Sequence, residues 1–233
     1  MSRQSFTAVI LAAGIGSRLK PITSKIPKAL VTVKEKPLLH WHLDKLKTAG
    51  FDKVIINLFY MGEKIEEYLQ SYESQEMKIT FSRETRLLET AGGIANVLHR
   101  INQRSFAVIN ADVYSDFNFH ALKTKIKHLN TDSRIRGHIY LVNNPHHNET
   151  GDFSINNGYA SNNLTNSLTF SGISVLTKEL FSDIPSGNPY QLNKVLRKAV
   201  LKDQITASGI SCMWTDVGTK ERLLHLNNKL RKN

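Results

Sequence analysis

Gly14, Gly16, Ser17, Arg18 and Lys28 follow closely on a short apolar run, residues 6–11. Glycines and small residues let a backbone approach a ligand, and a turn after a strand offers its N–H groups to anions. Arginine adds a planar fork for phosphate oxygens, and lysine a compact charge. Such a set is equipped to hold a polyphosphate. Two carboxylates extend it. Asp112 follows the apolar run of residues 106–109 in Asn110-Ala111-Asp112, and Asp216 lies in Trp214-Thr215-Asp216-Val217-Gly218-Thr219. Mg²⁺ is usually held by one or two carboxylates together with phosphate oxygens, so either Asp is a candidate ligand. Read alone, Asp112 is equally a turn former and Asp216 equally part of a helix N-cap.

These residues need elements to carry them. Residues 6–11 read as a buried strand and 29–33 as a short extended piece. Residues 37–49 read as a helix, with Leu38, Leu39, Leu43 and Leu46 near helical spacing and Gly50 at its end. A strand over 53–58, an acidic amphipathic helix over 62–72, a strand over 78–82, a helix over 91–100 and a buried strand over 106–110 follow. Strands separated by helices predict an α/β fold whose mostly parallel sheet is covered on both faces. Ligands bind such sheets at the carboxyl ends of strands, where the 11–18 turn and Asn110-Ala111-Asp112 both fall. The second half is less regular: a strand over 136–142, a hairpin turning at Asn156-Asn157-Gly158, a strand over 168–176, a helix over 191–201 and a final helix from Lys220. No repeat or low-complexity linker divides the chain.

Composition bounds the alternatives. At 233 residues and 40% hydrophobic content the chain can bury a sizeable core and is not disordered. No apolar run approaches the roughly 18 residues of a membrane helix. Residues 1–5 lead into the first strand without a signal-peptide core, and the single Cys212 cannot form an internal disulfide. The expectation is a cytoplasmic protein without a membrane partner. Cys212 has no neighbouring base in sequence and reads as a packed thiol. His146 and His147 point in different directions and lack a third ligand, so they read as loop or substrate contacts. His40 and His42 read as surface or packing residues. The net charge of +11 calls for anionic partners: nucleic acid, or a nucleoside triphosphate with a phosphosugar. The cations are scattered through 25–36, 123–127, 197–202 and 229–232, without the aromatic interleaving of a single-strand binder or a zinc-finger or RNA-recognition signature. That argues against nucleic acid, though a binding protein without catalysis stays open as a remote alternative.

A Walker P-loop pattern is absent. A dinucleotide fingerprint would need glycine at Leu19 and a carboxylate at the end of the next strand, which reads Asn57-Leu58-Phe59-Tyr60. The segment instead resembles the signature of sugar-phosphate nucleotidyltransferases, Leu-Ala-Ala-Gly-x-Gly-x-Arg-x-x-Pro-x-Thr-x-x-x-Pro-Lys, with Pro21, Thr23 and Pro27 also in place. Leu88-Glu89-Thr90-Ala91-Gly92-Gly93-Ile94, Asn110-Ala111-Asp112-Val113, Phe170-Ser171-Gly172-Ile173 and the 214–219 segment extend the resemblance along most of the chain. Asn144-Pro145-His146-His147 and Gly151-Asp152-Phe153 narrow it to the bacterial N-acetylmuramate 1-phosphate uridylyltransferase branch.

The resemblance implies a Rossmann-like three-layer α/β sandwich with a mixed, mostly parallel sheet. It implies one domain over 1–233, with a nucleotide-binding part roughly 1–115 and a sugar-binding part roughly 116–233. The implied reaction is Mg²⁺-dependent transfer of UMP from UTP to a sugar 1-phosphate with release of pyrophosphate, in cell-wall recycling. By resemblance Leu11, Ala12, Gly14, Gly16 and Ser17 contact the nucleotide, Arg18 grips the β- and γ-phosphates and Lys28 neutralises the α-phosphate. Glu89, Thr90 and Gly92 border the base, although Thr90 is also a reasonable helix N-cap. Arg18, Lys28 and Asp112 carry catalysis, Asp112 and Asp216 hold the metal, and Asn110 and Asp152 contact the sugar. The oligomeric state expected is a monomer or weak dimer. Another sugar 1-phosphate of glucose, mannose or heptose type, with UTP, dTTP or GTP, is the alternative. The chain departs from the pattern at Ala111, where glycine is usual, and in its asparagine-rich stretch over 156–166. It lacks the Glu-Lys-Pro motif of the glucose 1-phosphate thymidylyltransferases. It shows no left-handed β-helix repeat, so a fused acetyltransferase is not expected.

Overall fold

The computed structural model describes residues 5–72 and 76–231. Residues 1–4, read above as leading into the first strand, and Lys232 of the basic tail lie outside the described residues. The first half is built from β1 (Thr7–Leu11), β2 (Thr32–Val33), β3 (Lys36–Pro37), α1 (Leu38–Thr48), β4 (Lys53–Leu58), α2 (Gly62–Gln70), β5 (Lys78–Arg83), α3 (Glu89–Val97), β6 (Ser105–Asn110) and β7 (Val113–Ser115). The second half adds α4 (His120–Thr131), β8 (Gly137–Val142), β9 (Ser154–Asn156), β10 (Tyr159–Ser161), β11 (Thr169–Thr177), α5 (Leu192–Val200), β12 (Ile205–Gly209), β13 (Trp214–Asp216) and α6 (Lys220–Arg231).

One nine-stranded sheet runs through both halves in the order β5-β4-β1-β6-β11-β8-β12-β10-β9. β5, β4, β1 and β6 are mutually parallel, as are β8 and β12. β11 is antiparallel to β6 and β8, and β10 to β12 and β9. Followed outward from β1, only β11 and β10 oppose the rest, so the sheet is mixed and mostly parallel. Alternation along the strands sorts side chains onto two faces. Ala8 and Ile10 of β1 and Ala107 and Ile109 of β6 meet α1, α2 and α4 on one face. Val9, Phe106 and Val108 meet α3 and α5 on the other. A third cluster packs α6, through Leu223, Leu226 and Leu230, against Leu19, Val31, Val33 and Tyr114 beneath the glycine turn.

Several sequence expectations shift. Residues 29–33 are not one extended piece: a 3-10 turn, Lys28–Leu30, precedes β2. The helix expected over 91–100 begins at Glu89 and tightens into a 3-10 turn at Leu98–Arg100. Thr90 does not cap it. Its Oγ1 accepts the Leu192 N–H (2.8 Å) at the start of α5 instead. Two elements carry weak sequence signals. In α4 the apolar stripe is only Leu122, Ile126 and Leu129, set among lysines. Lys123 and Lys127 hold their ammonium groups over the Phe6 ring, so what reads as a charge run is a helix face. β12, Ile-Thr-Ala-Ser-Gly, is short and half polar. The hairpin expected at Asn156-Asn157-Gly158 forms, with Asn157 and Gly158 at positive φ as a tight two-residue turn requires.

Candidate active site

The chain passes from β1 to β4 on one side and returns to β6 on the other, so the carboxyl ends of β1 and β6 flank a topological switch point. Leu11 stands in register with Asn57 of β4 and Asn110 of β6, and the Ala111 N–H donates to the Leu11 carbonyl (3.0 Å). A cavity of about 240 Å³ opens there. Of the residues singled out by sequence, Leu11, Ala12, Gly14, Gly16 and Lys28 line it from one side. Glu89, Thr90, Asn110 and Asp112 line it from the others.

The glycine turn is shaped by its own motif. Thr23 Oγ1 donates to the Gly16 carbonyl (2.8 Å), and the Tyr60 hydroxyl donates to the Thr23 carbonyl (3.1 Å). Gly16 sits at φ +67°, and a Cβ there would lie 2.9 Å from Thr23 Cγ2. Gly14 differs: a Cβ there would meet nothing within 4 Å, which leaves its backbone open toward the cavity. Ser17 starts the 3-10 turn Ser17–Leu19 and is exposed, as is Arg18.

Behind the cavity lies a buried network that sequence reading missed. Asn57 Oδ1 accepts the Ala12 N–H (2.7 Å), and its Nδ2 donates to Glu84 Oε1 (2.8 Å). Glu84 Oε2 accepts the Leu88 N–H (3.0 Å). Burial raises the Glu84 carboxyl above its ordinary range, opposed by the bonds from Leu88 and Asn57. The network ties the end of β1 to the start of α3. It explains Gly93, where a Cβ would lie 2.6 Å from Asn57 Nδ2. The signal in the sequence was a polar residue, Asn57, inside an apolar strand. Glu89 enters α3 at φ +60°, a left-handed conformation that non-glycine residues adopt at a cost of order 1 kcal/mol and that clusters at functional sites. Gly92 does not line the cavity. Its N–H donates to the Tyr190 carbonyl (3.1 Å), and a Cβ would lie 2.2 Å from the Asn188 carbonyl oxygen.

The two aspartates are brought side by side by backbone pairing. Asp216 of β13 stands opposite Val113 of β7, and the Val217 N–H donates to the Asp112 carbonyl (2.8 Å). Trp214 Nε1 donates to the Ser171 carbonyl (2.8 Å) at a bulge of β11. At that bulge Gly172 (φ +74°) makes room for the Asn110 side chain. Thr219, rather than Asp216, caps α6 by accepting the Arg222 N–H (3.3 Å). The two side chains are 33% and 23% exposed. Hard oxygen donors, partly accessible, one in the turn before β7 and one on β13, suit an Mg²⁺ ion that completes its shell with water and phosphate oxygens. Among the described residues no group of three or more His, Cys, Asp or Glu can hold a metal unaided.

Each carboxylate carries its own cation. Lys28 Nζ pairs with Asp112 Oδ2. Arg222 Nη1 donates to both Asp216 oxygens (2.7 Å each), and His147 Nε2 stands 2.9 Å from Asp216 Oδ1. Neither Arg222 nor this partner for His147 was foreseen. Arg18 Nη2 and Arg222 Nη2 both lie close to Gly218. Asp152 lies outside the cavity lining, where its Oδ2 accepts the Phe170 N–H (2.8 Å) and Asn148 Nδ2 (3.2 Å).

Beneath Asp112, His42 is buried and stacked on Phe119. Burial, with Lys45 beside it, lowers its imidazole from 6.5 to about 4. Cys212 is a half-buried thiol 3.4 Å from Ser115 Oγ, raised by burial. No described helix is long and apolar enough to cross a membrane.

A family model described as nucleotidyl transferase matches residues 7–233. The N-acetylmuramate alpha-1-phosphate uridylyltransferase of Neisseria meningitidis serogroup B is 39% identical over 220 residues, covering 93% of this chain and 94% of that one. The D-glycero-alpha-D-manno-heptose 1-phosphate guanylyltransferase of Campylobacter jejuni is 28% identical over 230 residues, covering 95% and 99%. Among solved structures, a UDP-glucose pyrophosphorylase complexed with UDP-glucose superposes with a TM-score of 0.78 over 98% of this chain and 99% of its own, at 20% identity, which establishes the shared fold. A match that runs from the first strand to the end of the chain, beside a relative alike over almost its whole length, shows that this chain belongs to the nucleotidyl transferase family.

Proposed function

We propose that the chain transfers UMP from UTP to N-acetylmuramate 1-phosphate, giving UDP-N-acetylmuramate and pyrophosphate, in the cytoplasm and in the service of cell-wall recycling. The observation that carries the choice of sugar is the near full-length, 39% identity to the Neisseria meningitidis enzyme of that name. Transfer to a heptose 1-phosphate from GTP is the second reading, favoured by the full-length relative from Campylobacter jejuni.

The chemistry asks for charge and position. The sugar phosphate is already ionised and attacks the α-phosphorus without a general base. Two anions must therefore be brought together, and the leaving pyrophosphate must be stabilised. In this reading the open backbone at Gly14 and the turn through Ser17 follow the triphosphate, and Lys28 moves to the α-phosphate. Arg18, exposed beside Gly218, takes the β- and γ-phosphates with its fork. The base lies against Leu11, Ala12, Glu89 and Thr90, with Gly92 giving shape from behind. Asn110 and Asp152 meet sugar hydroxyls. Asp112 and Asp216 would hold Mg²⁺, which when bound supplies Lewis-acid neutralisation of phosphate charge. We assign the nucleotide to residues up to about 115 and the sugar to those that follow.

Pyrophosphate release with UTP and N-acetylmuramate 1-phosphate, with and without Mg²⁺, tests this beside GTP with a heptose 1-phosphate and UTP with glucose 1-phosphate. Metal-dependent release with the muramate sugar alone is the expected result. Release only with another pair discards the substrate assignment.

A further inference from the structure

Lys28 is one of the residues the first motif supplies; Arg222 belongs to none of them, yet it is the principal partner of Asp216. Both carboxylate oxygens accept from Arg222 Nη1 at 2.7 Å. Its side chain is only 15% exposed, and its Nε is buried without a hydrogen-bond partner among the described residues. A buried guanidinium with an unused donor is incompletely satisfied where it stands, and such a group gains from a partner with more acceptor oxygens. Gly218 sets its place: a Cβ there would lie 2.0 Å from Arg222 Nη2 and 3.4 Å from Arg18 Nη2. Two guanidinium groups thus converge on one glycine, and among the described residues only Arg222 has a carboxylate to offset its charge. Like charges held so close favour an anion between them.

We propose that Arg222 is a positioning residue that exchanges partners during binding. Without a polyphosphate it occupies the carboxylate of Asp216 and so opposes capture of a divalent ion alone. When the ion arrives with a polyphosphate, Asp216 turns to the ion and Arg222 joins Arg18 on the phosphate oxygens. Lys28, on Asp112, follows the same logic at the other carboxylate. The exchange keeps the carboxylates neutralised at each stage and makes the ion and the polyphosphate enter together. It rests on the reading of Asp216 as a metal ligand, but not on the identity of base or sugar.

The test uses the full chain with Mn²⁺ as the ion and inorganic pyrophosphate as the polyphosphate. Mn²⁺ binding is followed by electron paramagnetic resonance, alone and with pyrophosphate. In Arg222→Gln, Mn²⁺ alone should bind about tenfold tighter, because a nearby positive charge is gone. Mn²⁺-pyrophosphate should bind about tenfold weaker, because a charge-assisted fork is lost. Arg222→Lys should restore the value for Mn²⁺ alone and only part of that for Mn²⁺-pyrophosphate. Gly218→Ala, which displaces Arg222 without deleting it, should move both values in the same senses as Arg222→Gln and serves if that variant does not fold. A fall in both affinities together, or no change in either, overturns the proposal. A wild-type protein that binds Mn²⁺-pyrophosphate but turns over no muramate sugar discards the proposed substrate and leaves this exchange intact.

Discussion

The two walls of the cleft are held in place by different means. The wall made by the ends of β1, β4 and β6 is fixed by buried hydrogen bonds running from Ala12 through Asn57 and Glu84 to Leu88. The wall made by residues 214–222 has its backbone held by the pairing of β13 with β7, but its side chains meet through an ion pair, Asp216 with Arg222, with His147 at the same carboxylate. Buried bonds are expensive to leave half made, so the first wall has one geometry. An ion pair that faces a cleft can pass to an incoming ion or phosphate without either charge being left unpartnered. In the proposed reading the first wall fits a flat base and the second passes charge between anions, which gives reason for one to be rigid and the other adjustable.

Removing the charges should break function more than it breaks the fold. Asp112→Ala is expected to abolish metal-dependent turnover, a loss of about 10³-fold or more, with the far-ultraviolet circular dichroism unchanged. Near-normal steady-state rates would remove Asp112 from the chemistry. Arg18→Ala, at an exposed position, should lower kcat by about 10²–10³. Loss confined to KM would instead make it a ground-state binding residue.

The rigid wall should respond in the opposite way. Asn57→Ala leaves the Ala12 N–H and a Glu84 oxygen without their partner, at a cost of about 3 kcal/mol by denaturant titration. Acid offers a second, subtler lever from beneath the same wall. His42 protonates near pH 6.5 when unfolded but resists until about pH 4 when folded. Its folded value is depressed, so below pH 6.5 the unfolded chain binds the extra proton. Stability is therefore complete above pH 6.5 and falls as pH drops toward 4, by up to about 3 kcal/mol from this group. His138, lowered by burial and Lys125 to about 3, adds to the same slope. A stability that stays flat between pH 7 and 4.5 would show that both imidazoles remain accessible.

The glycine turn of the first wall was legible in the chain, because it depends on local rules, whereas the Asn57 and Glu84 bonds behind it join distant segments and were not. A buried strand followed by glycines announces a strand-end turn, and Thr23 fixes Gly16 only seven residues away. The alternation of strand and helix predicted where the carboxyl edge would lie, and both Asp112 and the 11–18 turn are there. The second wall was less legible. Asp216 was visible as a carboxylate before a helix, but its neutralising arginine is one of many cations in a chain of net charge +11. Nothing in their spacing distinguishes Arg222 from its neighbours until α6 is wound and Thr219 caps it.

Local stretches of sequence specify the α/β class, the glycine turn, the two aspartates and the tight turn at Asn157-Gly158. In each case the cause is confined to a few adjacent residues: backbone freedom, apolar periodicity or turn chemistry. Tertiary structure alone decided which groups meet. It set Glu84 against Asn57 across neighbouring strands, turned Gly92 toward Asn188, gave Thr90 to α5 and placed Arg222 and His147 on Asp216. These contacts depend on strand register and helix packing. A one-residue slip in register sends each side chain to the opposite face, so they exist only once the whole sheet has closed around them.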